Sequence, residues 1–168
     1  HKNFNSFKGS LIRLDKDDLV TLGGRLSSTL KEISVNFNYY NQNNGGTLNA
    51  FLYGLDANYK LNNKFNIGLG FEMQSGLDTE NLAFNPVFGT NHKFNGYMDY
   101  FYVGNHANSV GLNDKFISCN YKQNKFNLKM TYHIFNAVTE MDNNLDGGLG
   151  NELDMSVSYP FNKDINFS

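Results

Sequence analysis

The sequence has one cysteine, Cys119, in 168 residues, so no internal disulfide can form. Cys119 alternates with Ile117 and Tyr121, which puts its thiol on an apolar face rather than in the electropositive, accessible setting of a reactive thiol. Long hydrophobic runs are also missing. Nowhere does an apolar stretch approach the about 18 residues of a membrane-spanning helix, so a helical anchor is excluded. A barrel strand is a different matter, because about 9–11 residues with every second one apolar suffice. Excess positive charge is absent: 14 Lys and Arg face 16 Asp and Glu, for a formal net charge of -2. That balance argues against a nucleic-acid partner, which a basic patch would normally announce. Charged residues make up only 18% of the chain, below the roughly 25% of ordinary soluble domains. Tryptophan is absent, so the aromatic 15% is all Phe and Tyr.

What is present is alternation. Around Asn62-Asn63, a turn signal, two arms alternate apolar and polar residues. Phe51, Tyr53, Leu55, Ala57 and Tyr59 oppose Gly54, Asp56, Asn58 and Lys60. Phe65, Ile67, Leu69, Phe71 and Met73 oppose Asn66, Gly68, Gly70, Glu72 and Gln74. Side chains repeat every second residue in a strand, so each arm has an apolar and a polar face. The device returns closely at 120–128, loosely at 158–167 and faintly at 29–35. Other strands are expected over 4–14, where the register is open between Phe4/Ile12 and Phe7/Leu11, and over 19–28, 32–42, 112–122, 125–137 and 151–160. Tight turns and long Asn/Gly/Asp-rich loops alternate along the chain. Residues 76–111 break the rhythm and are too long for a plain connection, which marks them as functional or locally folded.

The expected fold is all-β: an antiparallel transmembrane β-barrel with about eight to nine strands in this chain. Strands of about ten residues exceed the usual 5–6 of soluble sheets. The tight-turn and long-loop ends match the two ends of outer-membrane barrels. A soluble sandwich or lipocalin-like barrel uses the same period with its apolar face inward, and periodicity cannot say which face is inside. The last strand is cut off at Ser168, and a closed barrel leaves no unpaired edge in lipid. The chain is therefore expected to be a portion of a larger barrel, and its start at His1 to mark a mature or trimmed protein.

Gly89-Thr90-Asn91-His92-Lys93-Phe94-Asn95-Gly96-Tyr97-Met98-Asp99-Tyr100-Phe101-Tyr102-Val103-Gly104-Asn105-His106, then Val110-Gly111-Leu112-Asn113-Asp114, the 120–128 hairpin and Gly150-Asn151-Glu152-Leu153-Asp154 resemble the alginate-export family of outer-membrane β-barrels, in its porin-like branch. The resemblance covers the C-terminal half well and the N-terminal half by pattern alone. It implies that this chain is the C-terminal portion of a larger pore in a bacterial outer membrane, passing solutes passively, with anionic polysaccharide as one cargo.

The expected partners are thus the lipid bilayer, a hydrophilic solute or polysaccharide, and other outer-membrane proteins; no cofactor is expected. The polar faces would line the pore with Arg25, Asp56, Lys60, Glu72, Lys129, His133, Glu152 and Asp154. Because a polyanion exporter wants a lumen dominated by Arg and Lys, this mixture fits a general hydrophilic channel better. Tyr59, Phe65, Tyr121, Phe126, Tyr159 and Phe161 would form an aromatic girdle at the periplasmic rim, with Lys31, Lys64, Lys125 and Lys163 at the turns. Residues 76–111 would fold over or into the outer mouth and narrow it. Two other classes stay open: an accessory barrel in an envelope complex, and a soluble β-module whose Tyr97, Tyr100, Phe101 and Tyr102 stack on sugar.

Enzymatic chemistry has little to stand on. Asp56 with Glu72, and Glu152 with Asp154, are paired carboxylates, but catalysis needs a defined separation and a cleft. Alternating strands produce such pairs by default. His92, His106 and His133 lack a zinc-ligand spacing. Asp142-Asn143-Asn144-Leu145-Asp146-Gly147 fits the opening of a calcium loop, yet Leu153 stands where the twelfth-position Glu belongs, and such clusters are ordinary turn formers. Gly68-Leu69-Gly70 lies within a strand, so it is no nucleotide fingerprint. No metal is assigned.

Overall fold

A computed structural model describes residues 4–14, 19–86, 95–98, 110–139, 147–160 and 166–167. These residues form one antiparallel sheet of nine strands in chain order, and none of them is helical. The strands are β1 (Phe4–Leu14), β2 (Leu19–Leu30), β3 (Ile33–Asn43), β4 (Asn49–Lys60), β5 (Phe65–Gln74), β6 (Leu112–Gln123), β7 (Phe126–Asn136), β8 (Gly148–Pro160) and the two-residue β9 (Asn166–Phe167). Each strand pairs only with its sequence neighbours, so the sheet is open, with β1 and β9 at its edges.

The turns at one end are short. Lys31-Glu32 and Asn124-Lys125 each join two strands, with Lys31 at φ 54° and Asn124 at φ 53°. Asn tolerates that left-handed backbone better than most residues. The β4–β5 turn spans residues 61–64, and the Asn62 side chain closes it by accepting from the amides of Lys64 (2.8 Å) and Phe65 (3.0 Å). At the opposite end the connections lengthen, and the longest joins β5 to β6.

The two faces differ in composition and, more tellingly, in exposure. Along one face run Leu22, Leu26, Phe37, Leu55, Leu69, Ile117, Leu153 and Met155, all exposed. Leu69 and Met155 keep 62% and 60% of their surface open. The other face carries the polar residues, and at the loop end it is the buried one: Gln42, Gln74, Asp114, His133, Glu152 and Asp154 are all buried there. Register fixes this sorting, because a slip of one residue would exchange the faces of a whole strand. It also resolves β1: Phe7 pairs with Leu26 and is exposed, which sets the Phe7 phase on the apolar face.

Small residues let the polar face pack. Tyr40 lies across from Gly23, where a Cβ would come within 2.4 Å of its ring. Gly70 stands between Asp56 and Phe116, and a Cβ there would meet the Phe116 ring at 2.6 Å. Gly23 thus serves close packing of its neighbour strand. The glycine at 70 makes room for a ring on the neighbouring strand.

Part of the long connection lies on the polar face. Ala50, Phe84, Leu112 and Phe135 are buried together with the polar set at the loop end. Gln42 grips the backbone of Asn85 twice, donating to its carbonyl (2.6 Å) and accepting from its amide (2.8 Å). Ser75 accepts from the Phe51 amide and donates to the Leu82 carbonyl. Where the connection leaves and rejoins the sheet, Gly76 packs against Val110 and Gly111 backbone-to-backbone; a Cβ on Gly76 would sit 2.3 Å from the Val110 carbonyl carbon.

Candidate functional site

All eight pore-lining candidates fall on the polar face. The register runs Ser27–Asn36–Asp56–Gly70–Phe116–His133–Glu152 across seven strands. One row toward the loops lie Arg25, Asn38, Gly54, Glu72 and Asp114. One row toward the turns, Asn58, Gly68, Ser118, Thr131 and Asp154 line up. Beyond them come Lys60, Asn66, Asn120, Lys129 and Ser156.

The structure splits the candidates into two groups. Toward the turns and on β2 the charges are open to solvent or served by neighbours. Lys60, Lys129 and Arg25 are exposed. Asp56 accepts from the Asn36 amide at 2.7 Å and from that of Asn58 at 3.3 Å. On β5 to β8, Glu72, His133, Glu152 and Asp154 join a compact cluster with Gln74, Asn95 and Asp114. Asp114, the centre of it, is only 2% exposed. His133 Nδ1 lies 2.9 Å from Asp114 Oδ1, and its Nε2 lies 3.6 Å from Asp154 Oδ2. Gln74 donates to Glu72 Oε1 at 3.0 Å, and Asn95 donates to both Glu72 and Asp114. His133 is packed between rings, stacked on Phe135 at 5.4 Å and tilted against Phe116 at 5.7 Å.

Residues 95–98 close over this cluster from the long connection. The Met98 amide donates to Glu152 Oε1 (2.8 Å) and the Tyr97 amide to Asp154 Oδ1 (3.3 Å). Gly96 permits that approach: its φ is +91°, and a Cβ would lie 2.3 Å from Glu152 Oε2. Backbone amides facing carboxylates are charge-assisted and among the stronger hydrogen bonds. The acid cluster therefore acts as a latch for the segment.

Asp114, Gln74 and Asn95 belong to this site and are not among the sequence candidates. Asp114 was within reach, since it shares the polar phase of β6 with Ser118 and Asn120. Gln74 shares the polar phase of β5 with Glu72 in the same way, while Asn95 carries no such signal, because its role depends on where the long connection lands.

Of the six aromatics expected at the turn end, five lie on the apolar face among the described residues. Phe65 and Tyr121 are 4.6 Å apart, and Tyr121 and Phe126 are 6.2 Å apart. Tyr59 and Tyr159 are exposed on the same face. Phe161 lies outside the described residues, as do His92, His106, Lys163, the Tyr100-Phe101-Tyr102 run and the Asp142, Asn144 and Asp146 candidates for calcium. Among the described residues, no group of three or more acidic, His or Cys side chains is arranged to hold a metal ion. No described helix is long and apolar enough to cross a membrane. No family model matches the chain, nor does any curated protein or solved structure.

Proposed function

We propose that this sheet is part of the wall of a transmembrane β-barrel in a bacterial outer membrane, forming a porin-like channel for hydrophilic solutes. The observation that carries this reading is the inverted burial. A soluble sheet hides its apolar face, whereas here Leu22, Leu69, Ile117 and Met155 are open and the acid cluster is covered. Continuous apolar surface of this extent marks a lipid or protein contact. The sheet is open, and an open edge is not tolerated in hydrocarbon. The reading therefore includes further strands that complete the barrel.

The polar face then lines an aqueous lumen. Lys60, Lys129 and Arg25 face that water, and the segment latched by Glu152 and Asp154 narrows the loop end. The mixed charge favours small hydrophilic solutes over a dedicated polyanion path. The same latch supports a second reading, an accessory barrel with a plugged lumen.

Planar-bilayer recordings of the protein and of Gly96→Val test both. The valine Cβ collides with the Glu152 carboxylate, so the 95–98 segment should lift away. A channel conducts before the change and conducts more after it. A plugged accessory barrel is silent before and opens after. Silence in both, in vesicles that have taken up the protein, would remove the lumen. A soluble sugar-binding module would be extracted without detergent and would not enter vesicles at all.

A further inference from the structure

The apolar face carries one charge among the residues whose side chains are described, Lys115 on β6. Its register row reads Leu55, Phe71, Lys115, Ile134, so apolar side chains flank it on both sides. Lys115 is exposed. An apolar groove of about 710 Å³ surrounds it, lined by Leu55, Leu69, Phe71, Ile117 and Ile134.

Position along the strand gives the cation its meaning. Tyr121, in the girdle at the turn end, is six residues from Lys115, which at about 3.3 Å per residue and a barrel tilt near 40° is about 15 Å of depth. Beyond Lys115 the same face is polar at Asn113 on β6 and Asn136 on β7, and level with it at Asn151 on β8, while on β4 and β5 it stays apolar through Tyr53 and Met73. Lys115 thus stands where the apolar stripe ends on β6. A lysine there lays its methylenes along the apolar surface and lifts its ammonium to the polar boundary. Apart from Lys115 and Asn113, the side chains lining the groove are apolar or aromatic.

We propose that this groove is a binding site for an anionic lipid, with the phosphate headgroup on the Lys115 ammonium and an acyl chain along Leu55, Phe71 and Ile117. The site rests on the membrane reading above and adds to it a lipid class and a named cation. The charge selects for phosphate-bearing, net-negative lipids over zwitterionic ones. The groove selects for a lipid over free phosphate.

The test is native mass spectrometry of the detergent-solubilised protein, loaded with phosphatidylglycerol or with phosphatidylcholine of the same acyl chains. One basic residue at an anionic surface corresponds to about a fivefold preference. The protein should retain the glycerol lipid about fivefold better. Lys115→Arg should keep that preference, and Lys115→Met should bring the two lipids to parity. Inorganic phosphate at matched concentration should not displace the lipid. Equal retention of both lipids by the unaltered protein overturns the site even if the methionine variant fails to fold. Displacement by inorganic phosphate overturns the acyl-chain half of it. Failure of the protein to enter vesicles of either lipid would instead sink the membrane reading; entry into both with equal retention sinks this site alone.

Discussion

Leu69→Lys should destabilise the bilayer-inserted protein by about 2–4 kcal/mol, the cost of a lysine on the lipid face near mid-membrane. Leu69 sits midway along β5, paired with Ala57 on one side and Ile117 on the other, and is 62% exposed. The size of the effect separates two environments. At a water-facing position, exchanging an exposed leucine for lysine changes stability by about 0.5 kcal/mol or less. Asn58 supplies the internal control, since it neighbours Ala57 in sequence but lies on the polar face. Asn58→Lys should stay within about 1 kcal/mol, because the new ammonium reaches water near Asp56. Reversible folding into vesicles across a urea gradient reads both values, with an unchanged m-value guarding the comparison. A neutral Leu69→Lys would count heavily against lipid contact.

Asp114→Ala should cost about 3 kcal/mol, the largest loss expected from any change on the polar face. The carboxylate is buried and holds His133 at 2.9 Å and Asn95 at 3.3 Å. Its removal leaves two buried polar groups without that partner, at about 1–3 kcal/mol each. Loss of repulsion between Asp114 and the nearby Glu72 carboxylate offsets part of this. Asp114→Asn keeps one acceptor for the ring and should lose about 1 kcal/mol. The alanine variant should also loosen the 95–98 segment, because Asn95 is tied to the cluster through Asp114 and Glu72. Faster proteolysis between β5 and β6, relative to the asparagine variant, would report that loosening. Equal stability of the alanine variant and the parent would mean that the cluster is solvated and holds nothing.

Much of the fold is legible in the sequence because one physical rule writes it. Period-two alternation is unbroken over Ile33–Tyr39, Tyr53–Tyr59, Phe65–Met73, Phe126–Ile134 and Leu153–Tyr159, and the expected strands there match those found to within a few residues. All eight lining candidates share one face for the same reason. The pattern fails at the loop end of β6, where Phe116 turns to the polar side and Lys115 to the apolar side. Two facts bear on that reversal: Gly70 leaves space for the Phe116 ring, and on β6 the apolar stripe ends at Lys115, with Asn113 next on that face. The first is not visible within β6 alone. The latch was hidden for a similar reason. Gln42 and Gln74 look like ordinary polar-face residues bonded to Thr21 and Glu72 within the sheet, and the placement of residues 84–85 and 95–98 adds the partners that make the latch. Which face meets which solvent is not written in the period either. It follows from what covers each face.

Cys119 offers the most direct probe of that question, since it is the only cysteine and lies exposed on the apolar face, paired with Ile67 and Met130. A nitroxide attached to it in vesicle-reconstituted protein should collide readily with oxygen, which concentrates in hydrocarbon, and hardly at all with a water-soluble nickel chelate. A label swept freely by the nickel chelate, with oxygen showing no excess, would place the apolar stripe in water and contradict the account.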